Sequence, residues 1–291
     1  LLISKEGVAM EETEDLMIPG RAGQIAVRAR SLRDGRKVVL LVQGSNLTGQ
    51  SMFDFRFPGG DRYSMMDELV AMGFGAVTFS IRGYGASELA GDPLSVTTEA
   101  AMEDLGSVLD WLESCGHVRP HVLAFSWGGR IAGRYAEEHG ARIERLVLYD
   151  PARGGNAPIP ADNLPPWHEN IPEFYTQKLE PEFTEPELLS HLCAHVGQHD
   201  TRSPNGIRLE NAGYVTPIAS ERIGNPCLLV YGVEAAKAPY MQAPLDRAQF
   251  FERLASDDKA FVILPRSGDF AHFQAGRFEL YRAIGWFLGG G

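Results

Sequence analysis

The chain has 291 residues, 44% of them hydrophobic, enough to bury a large core and hard to reconcile with disorder. Its 27 Lys and Arg against 38 Asp and Glu leave a formal net charge of −11, the wrong sign for a protein that neutralises nucleic-acid phosphates. No apolar run approaches the ~18 to 20 residues of a membrane-spanning helix. The acid-rich opening (LLISKEGVAMEETEDLMIPG) does not read as a signal peptide, so the expectation is a soluble cytoplasmic protein. Cys115, Cys193 and Cys227 lack paired spacing and read as buried thiols rather than a disulfide framework or a zinc site.

Residues 24–30 (QIAVRAR) alternate apolar and polar, as a strand with one wet face does, whereas 38–42 (VVLLV) are continuously apolar, as an interior parallel strand is. Further short apolar runs follow at 76–81, 121–125, 146–149, 228–231 and 261–264. Helical periodicity covers 63–72 and 97–114, with Thr97 or Thr98 as the cap, and two more helices are expected over 128–139 and 274–288. Strands alternating with helices imply an α/β fold, a mostly parallel sheet with helices on both faces and ligands at the carboxyl ends of its strands. The seventy or so residues between the strands at 146 and 228 are too many for a crossover, so 151–221 is expected to be an inserted, mobile helical lid on a core of 1–150 and 222–291. Trp167, Phe174, Tyr175, Phe183 and Tyr214 are candidates either to line its underside or to form its own core.

The sharpest chemical signal is Ala124-Phe125-Ser126-Trp127-Gly128-Gly129, a serine between a buried strand and a helix with small residues two places to either side. A turn that tight crowds its neighbours and pushes the hydroxyl out at the top of the sheet. A neutral serine needs a base, and the base needs an acid behind it. His272, in the loop after the last strand, is the histidine in the right place in the chain. For the acid, Asp150 directly follows one strand and is favoured over Glu234, which follows the next; an aspartate before Pro151 also suits a simple turn. The amides of Trp127 and of Ser45, the latter in Gln43-Gly44-Ser45-Asn46, are the expected oxyanion donors. His191, His195 and His199 would share one helix face and could in principle hold zinc, but they lack the HExxH glutamate, and a lid helix or pocket lining explains them more simply.

Together with Arg82-Gly83-Tyr84-Gly85-Ala86-Ser87 after the strand at 76–81, these pieces resemble the α/β-hydrolase superfamily over nearly the whole chain. The resemblance implies a serine enzyme with the triad Ser126, Asp150 and His272, cleaving an ester, lactone or thioester, and the aromatic content points to a small to medium apolar substrate. It calls for no metal or organic cofactor, and a homodimer is compatible with it. A carbon–carbon-bond hydrolase of β-diketone-like compounds would use the same residues, and the superfamily also contains ligand-binding proteins with little turnover.

Overall fold

The computed structural model describes residues 13–32, 35–60, 62–155, 158–160, 163–235 and 244–290; the opening residues up to 12 and Gly291 lie outside them. The chain opens with β1 (Thr13–Gly20), β2 (Gly23–Arg30) and β3 (Val38–Val42), then α1 (Gly49–Phe53), α2 (Met65–Ala71) and β4 (Gly75–Phe79). It continues through α3 (Thr98–Ser114), β5 (His121–Phe125), α4 (Trp127–His139) and β6 (Leu146–Tyr149). The inserted segment holds β7 (Trp167–Glu169), α5 (Glu173–Lys178), α6 (Pro186–His199), β8 (Arg202–Pro204) and α7 (Gly206–Ala212). The chain then returns through β9 (Cys227–Gly232), α8 (Pro244–Arg253), β10 (Lys259–Leu264) and α9 (Arg277–Leu288).

The main sheet has eight strands in the order β1-β2-β4-β3-β5-β6-β9-β10. β1 and β2 are antiparallel, as are β2 and β4, and every other neighbouring pair is parallel. β1 was hidden in sequence by its charge: it is an edge strand whose Asp15 pairs with Arg28 across the ladder, and an edge can be polar on its open side. Side chains alternate between two apolar layers. Leu40, Val122, Ala124, Leu146 and Leu148 pack with α3, α4 and α8, whereas Leu41, Leu123, Val147 and Tyr149 pack with α2 and α9.

The insertion is docked rather than loose. Tyr175, Leu179, Leu188, Leu192 and Val196 are at most 1% exposed and join the α2/α9 layer. Polar ties reinforce the apolar contact: Ser51 Oγ lies 2.7 Å from His195 Nε2, and the Thr48 N–H donates to Asp200 Oδ1 at 2.9 Å. Of the aromatics expected beneath it, Tyr175 is core and Tyr214 is 69% exposed. The expectation for the cysteines holds only for Cys227: Cys193 is half-buried, and Cys115 is exposed because it caps α3 at that helix's solvent end.

Candidate active site

Ser126 sits between β5 and α4 at φ 54°, ψ −115°, a conformation that side-chain-bearing residues avoid and that costs about 1–3 kcal/mol. The surrounding packing enforces it. A Cβ on Gly128 would lie 2.4 Å from the Val42 carbonyl oxygen, and one on Gly129 would lie 2.6 Å from Pro151 Cβ, so α4 starts in a space only glycines fit. The Ser126 N–H donates to the Tyr149 carbonyl at 3.0 Å, and its own carbonyl accepts the Ala152 N–H at 2.8 Å. The side chain opens into a cavity of about 450 Å³ between the strand ends and the insertion.

Asp150, one residue past β6, also lines this cavity and is itself held at φ 42°. Its Oδ2 accepts the Gly232 N–H at 3.3 Å. Gly232 lets the loop after β10 come close, since a Cβ there would lie 2.1 Å from the Gly268 carbonyl oxygen. That loop is pinned by Gln274, whose Oε1 accepts the Gly268 N–H at 2.7 Å and whose Nε2 donates to Glu180 at 2.6 Å. Asp269 and Phe270 of that loop line the cavity, and Asp269 is the titratable one. Burial, and then the neighbouring Asp269 carboxylate, push the Asp150 carboxyl well above its ordinary range, against the pull of the Gly232 N–H and Arg247.

His272 does not join them, which corrects the triad expected from sequence. It lies in a single 3-10 turn (Ala271–Phe273), is fully buried, and has no place in the lining of the cavity. Its main-chain N–H donates to Tyr149 Oη at 3.2 Å, and its Nδ1 lies 2.9 Å from the same oxygen. Burial keeps the Tyr149 phenol protonated far beyond its usual range, and its oxygen accepts the His272 amide and shares with Nδ1 one hydrogen bond whose direction follows the ring's tautomer. The ring is neutral, its pKa lowered to about 3 by burial, and its Nε2 is buried without a hydrogen-bond partner among the described residues, Ser126 included. A base for Ser126 needs a free lone pair within reach. Here Nδ1 is engaged by Tyr149, Nε2 makes no bond to Ser126, and Phe125, Phe270 and Phe273 stand around the ring at 5.5, 6.0 and 4.1 Å between centroids. Chain order placed the right loop near Ser126; which of its residues turns upward depends on the 3-10 turn, which carries no signal in the sequence pattern.

Ser45 and Trp127 both line the cavity, and among the described residues neither main-chain N–H is taken by a backbone carbonyl. The Ser45 carbonyl is fixed by the Tyr84 hydroxyl at 2.8 Å, and the Trp127 indole donates to Thr98 Oγ1 at 3.0 Å. Glu234 is not part of the lining; its N–H donates to the Ser267 carbonyl at 3.0 Å. The α6 histidines take protein partners: His191 stacks on Phe57, His195 meets Ser51, and His199 lies 4.6 Å from the His195 ring. Among the described residues no group of three or more His, Cys, Asp or Glu is arranged to hold a metal ion, and no helix is long and apolar enough to cross a membrane. Arg82 of the Arg-Gly-x-Gly-x-Ser loop is a structural residue, clamped on Asp104 at 2.6 to 3.0 Å. The imidazole that does face the cavity is His168 of β7, with a pKa lowered to about 4 by burial and by the charge of Arg208. It was missed in sequence because the insertion carries no periodic pattern at that point.

A model of the alpha/beta hydrolase family matches residues 39–279. The chain belongs to the alpha/beta hydrolase family. Solved structures with the same fold include the thioesterase domain from the curacin biosynthetic pathway (15% identity, TM-score 0.68, covering 96% of this chain and 99% of that one). An enol-lactonase from Burkholderia xenovorans (16%, 0.66, 94% and 100%) and a bromoperoxidase from Bacillus anthracis (18%, 0.67, 95% and 100%) are similar to the same extent. No curated protein sequence matches the chain. Likeness at this identity establishes the hydrolase fold and leaves the chemistry to the residues of the site.

Proposed function

We propose that the chain is a serine acyl hydrolase of small esters, thioesters or lactones, with Ser126 as nucleophile and an aspartate pair, Asp269 backed by Asp150, in place of an imidazole base. The observation that carries this reading is the strained backbone of Ser126, held at φ 54° by two obligatory glycines at the mouth of the cavity. Such strain persists where the surroundings over-determine it and clusters at sites of chemistry.

Two carboxylates in one buried site cannot both stay ionised, so the pair retains one proton. Asp150, 2% exposed and shifted upward, holds that proton; the more accessible Asp269 is the carboxylate. Asp269 takes the Ser126 hydroxyl proton as Oγ bonds to the substrate carbonyl carbon. The carbonyl electron pair moves onto oxygen, which the Ser45 and Trp127 amides stabilise. Collapse breaks the bond to the leaving oxygen or sulfur, which receives the proton from Asp269. Water then attacks the acyl-serine, giving one proton to Asp269; collapse breaks the bond between Oγ and the acyl carbon, and Asp269 returns that proton to Oγ as the acid leaves. The insertion acts as a lid that excludes bulk water from these steps.

A second reading, a hydrolase-like ligand-binding protein with little turnover, draws support from the burial of His272. A fluorophosphonate probe separates the two. Stoichiometric labelling of the wild type that is lost in Ser126→Ala, with turnover of para-nitrophenyl esters, is expected of the enzyme. Absence of both labelling and turnover would favour the binder.

A further inference from the structure

Four of the buried arginines are matched to carboxylates. Arg30, Arg82, Arg130 and Arg277 are each at most 8% exposed, and they meet Asp54 at 3.0 Å, Asp104 at 2.6 Å, Glu210 at 3.4 Å and Glu185 at 2.8 Å. Arg208 breaks that pattern. It projects from α7 into the cavity, and its guanidinium bonds only neutral oxygens: Asn46 Oδ1 at 2.9 Å, Asn205 Oδ1 at 3.3 Å and Ser203 Oγ at 3.5 Å. Among the described residues no carboxylate lies within 4 Å of it, and burial, unopposed by any carboxylate, lowers its pKa. The α7 backbone is not free to carry it away: Gly206 is pressed on the Val96 backbone, where a Cβ would come within 2.3 Å, and Ile207 is core. The contact with Asn46 fixes the head group beside the loop that supplies the Ser45 amide.

A half-buried guanidinium with unused donors and no countercharge is poised for an anion from outside, and its planar fork matches a carboxylate. The cavity is polarised accordingly. The acidic groups Asp150 and Asp269 line one part of it, while Lys178 and Arg208 line it from the insertion, where the charge of Arg208 is felt by His168.

We infer that Arg208 is the specificity anchor of this site, receiving a free carboxylate carried by the substrate, so that the acyl compounds turned over are monoesters, monothioesters or lactones bearing a second, unesterified acid group. The assignment of turnover rests on the hydrolase reading above; the assignment of the anion site does not.

The test compares mono-para-nitrophenyl glutarate with para-nitrophenyl butyrate in the wild type, Arg208→Gln and Arg208→Lys. The expected loss in Arg208→Gln is greater for the glutarate ester than for the butyrate ester by about ten- to a hundredfold in kcat/KM, and Arg208→Lys restores part of the difference. Calorimetry of Ser126→Ala with monomethyl glutarate reads binding without turnover. Affinity should fall about tenfold or more when Arg208→Gln is added, and also when Asn46→Asp supplies an internal countercharge while leaving the arginine in place. Equal losses on both esters, monomethyl glutarate binding that neither variant weakens, or no binding at all would overturn the inference. Inorganic phosphate binding as tightly as monomethyl glutarate would overturn the carboxylate class. If the wild type turns over neither ester while monomethyl glutarate still binds through Arg208, the hydrolase reading fails and the anion site stands.

Discussion

The rim of the cavity and the layer beneath it are built from neighbouring residues with opposite duties. Ser126 opens into the cavity one step past buried Phe125, and Asp150 lines it one step past buried Tyr149. In the loop after β10, Asp269 faces the cavity and His272, three residues on, is locked to Tyr149 in the layer below. The rim carries positive φ at both Ser126 and Asp150 and a buried carboxyl held well above its ordinary range. The layer below is satisfied packing. A single residue step at a strand's carboxyl end therefore decides between chemistry and structure.

The strongest way to break this contrast is at the rim. Ser126→Ala should abolish fluorophosphonate labelling and lower ester turnover on the order of 10³-fold or more. Asp150→Asn should lower turnover about 10²- to 10⁴-fold, and it should also raise the melting temperature at pH 8, because it removes the cost of holding a buried carboxyl above its ordinary range, at a left-handed position that asparagine tolerates. The sign follows from linkage: the folded-state pKa of Asp150 lies above the unfolded one, so the folded protein is penalised as pH rises through that raised value. An Asp150→Asn protein that lost stability and kept its activity would assign Asp150 to the layer below.

That lower layer should give the reverse result. His272→Leu forfeits the bond to Tyr149 and should cost about 1–3 kcal/mol in chemical denaturation, with turnover per folded molecule within about threefold of wild type. The same variant should flatten the acid response. His121, His168 and His272 have folded-state pKa values lowered to about 4, 4 and 3, so their contribution is present above the unfolded value of about 6.5 and is lost as pH falls towards those values. Melting temperature followed from pH 7 to 4 should drop more steeply in the wild type than in His272→Leu. The smallest effect is expected at Glu234→Gln, within about twofold in turnover, since Glu234 stands outside the cavity lining.

Much of this architecture was legible in the sequence because the interior strands are continuous apolar runs and Thr97 caps its helix, its hydroxyl accepting the Ala100 N–H. The elbow was legible through Gly128 and Gly129, whose lack of a side chain is a local steric demand. The proposed base for Ser126 was not. Positions 269 and 272 share a loop of unremarkable composition, and the choice between them is made by long-range contacts, Gln274 with Glu180 and Tyr149 with His272, that no local pattern encodes. Arg208 was invisible for a similar reason, since what marks it is that no carboxylate among the described residues lies near it in space, which no spacing along the chain encodes.

The most direct measurement is the second-order rate at which a fluorophosphonate labels Ser126 in the wild type, Asp269→Asn and His272→Leu, which reads activation of the serine without choosing a substrate. A fall of about 100-fold or more in Asp269→Asn, with His272→Leu near the wild-type rate, is the expected result. Loss of labelling in His272→Leu with Asp269→Asn unaffected would contradict the account and return the base to the imidazole.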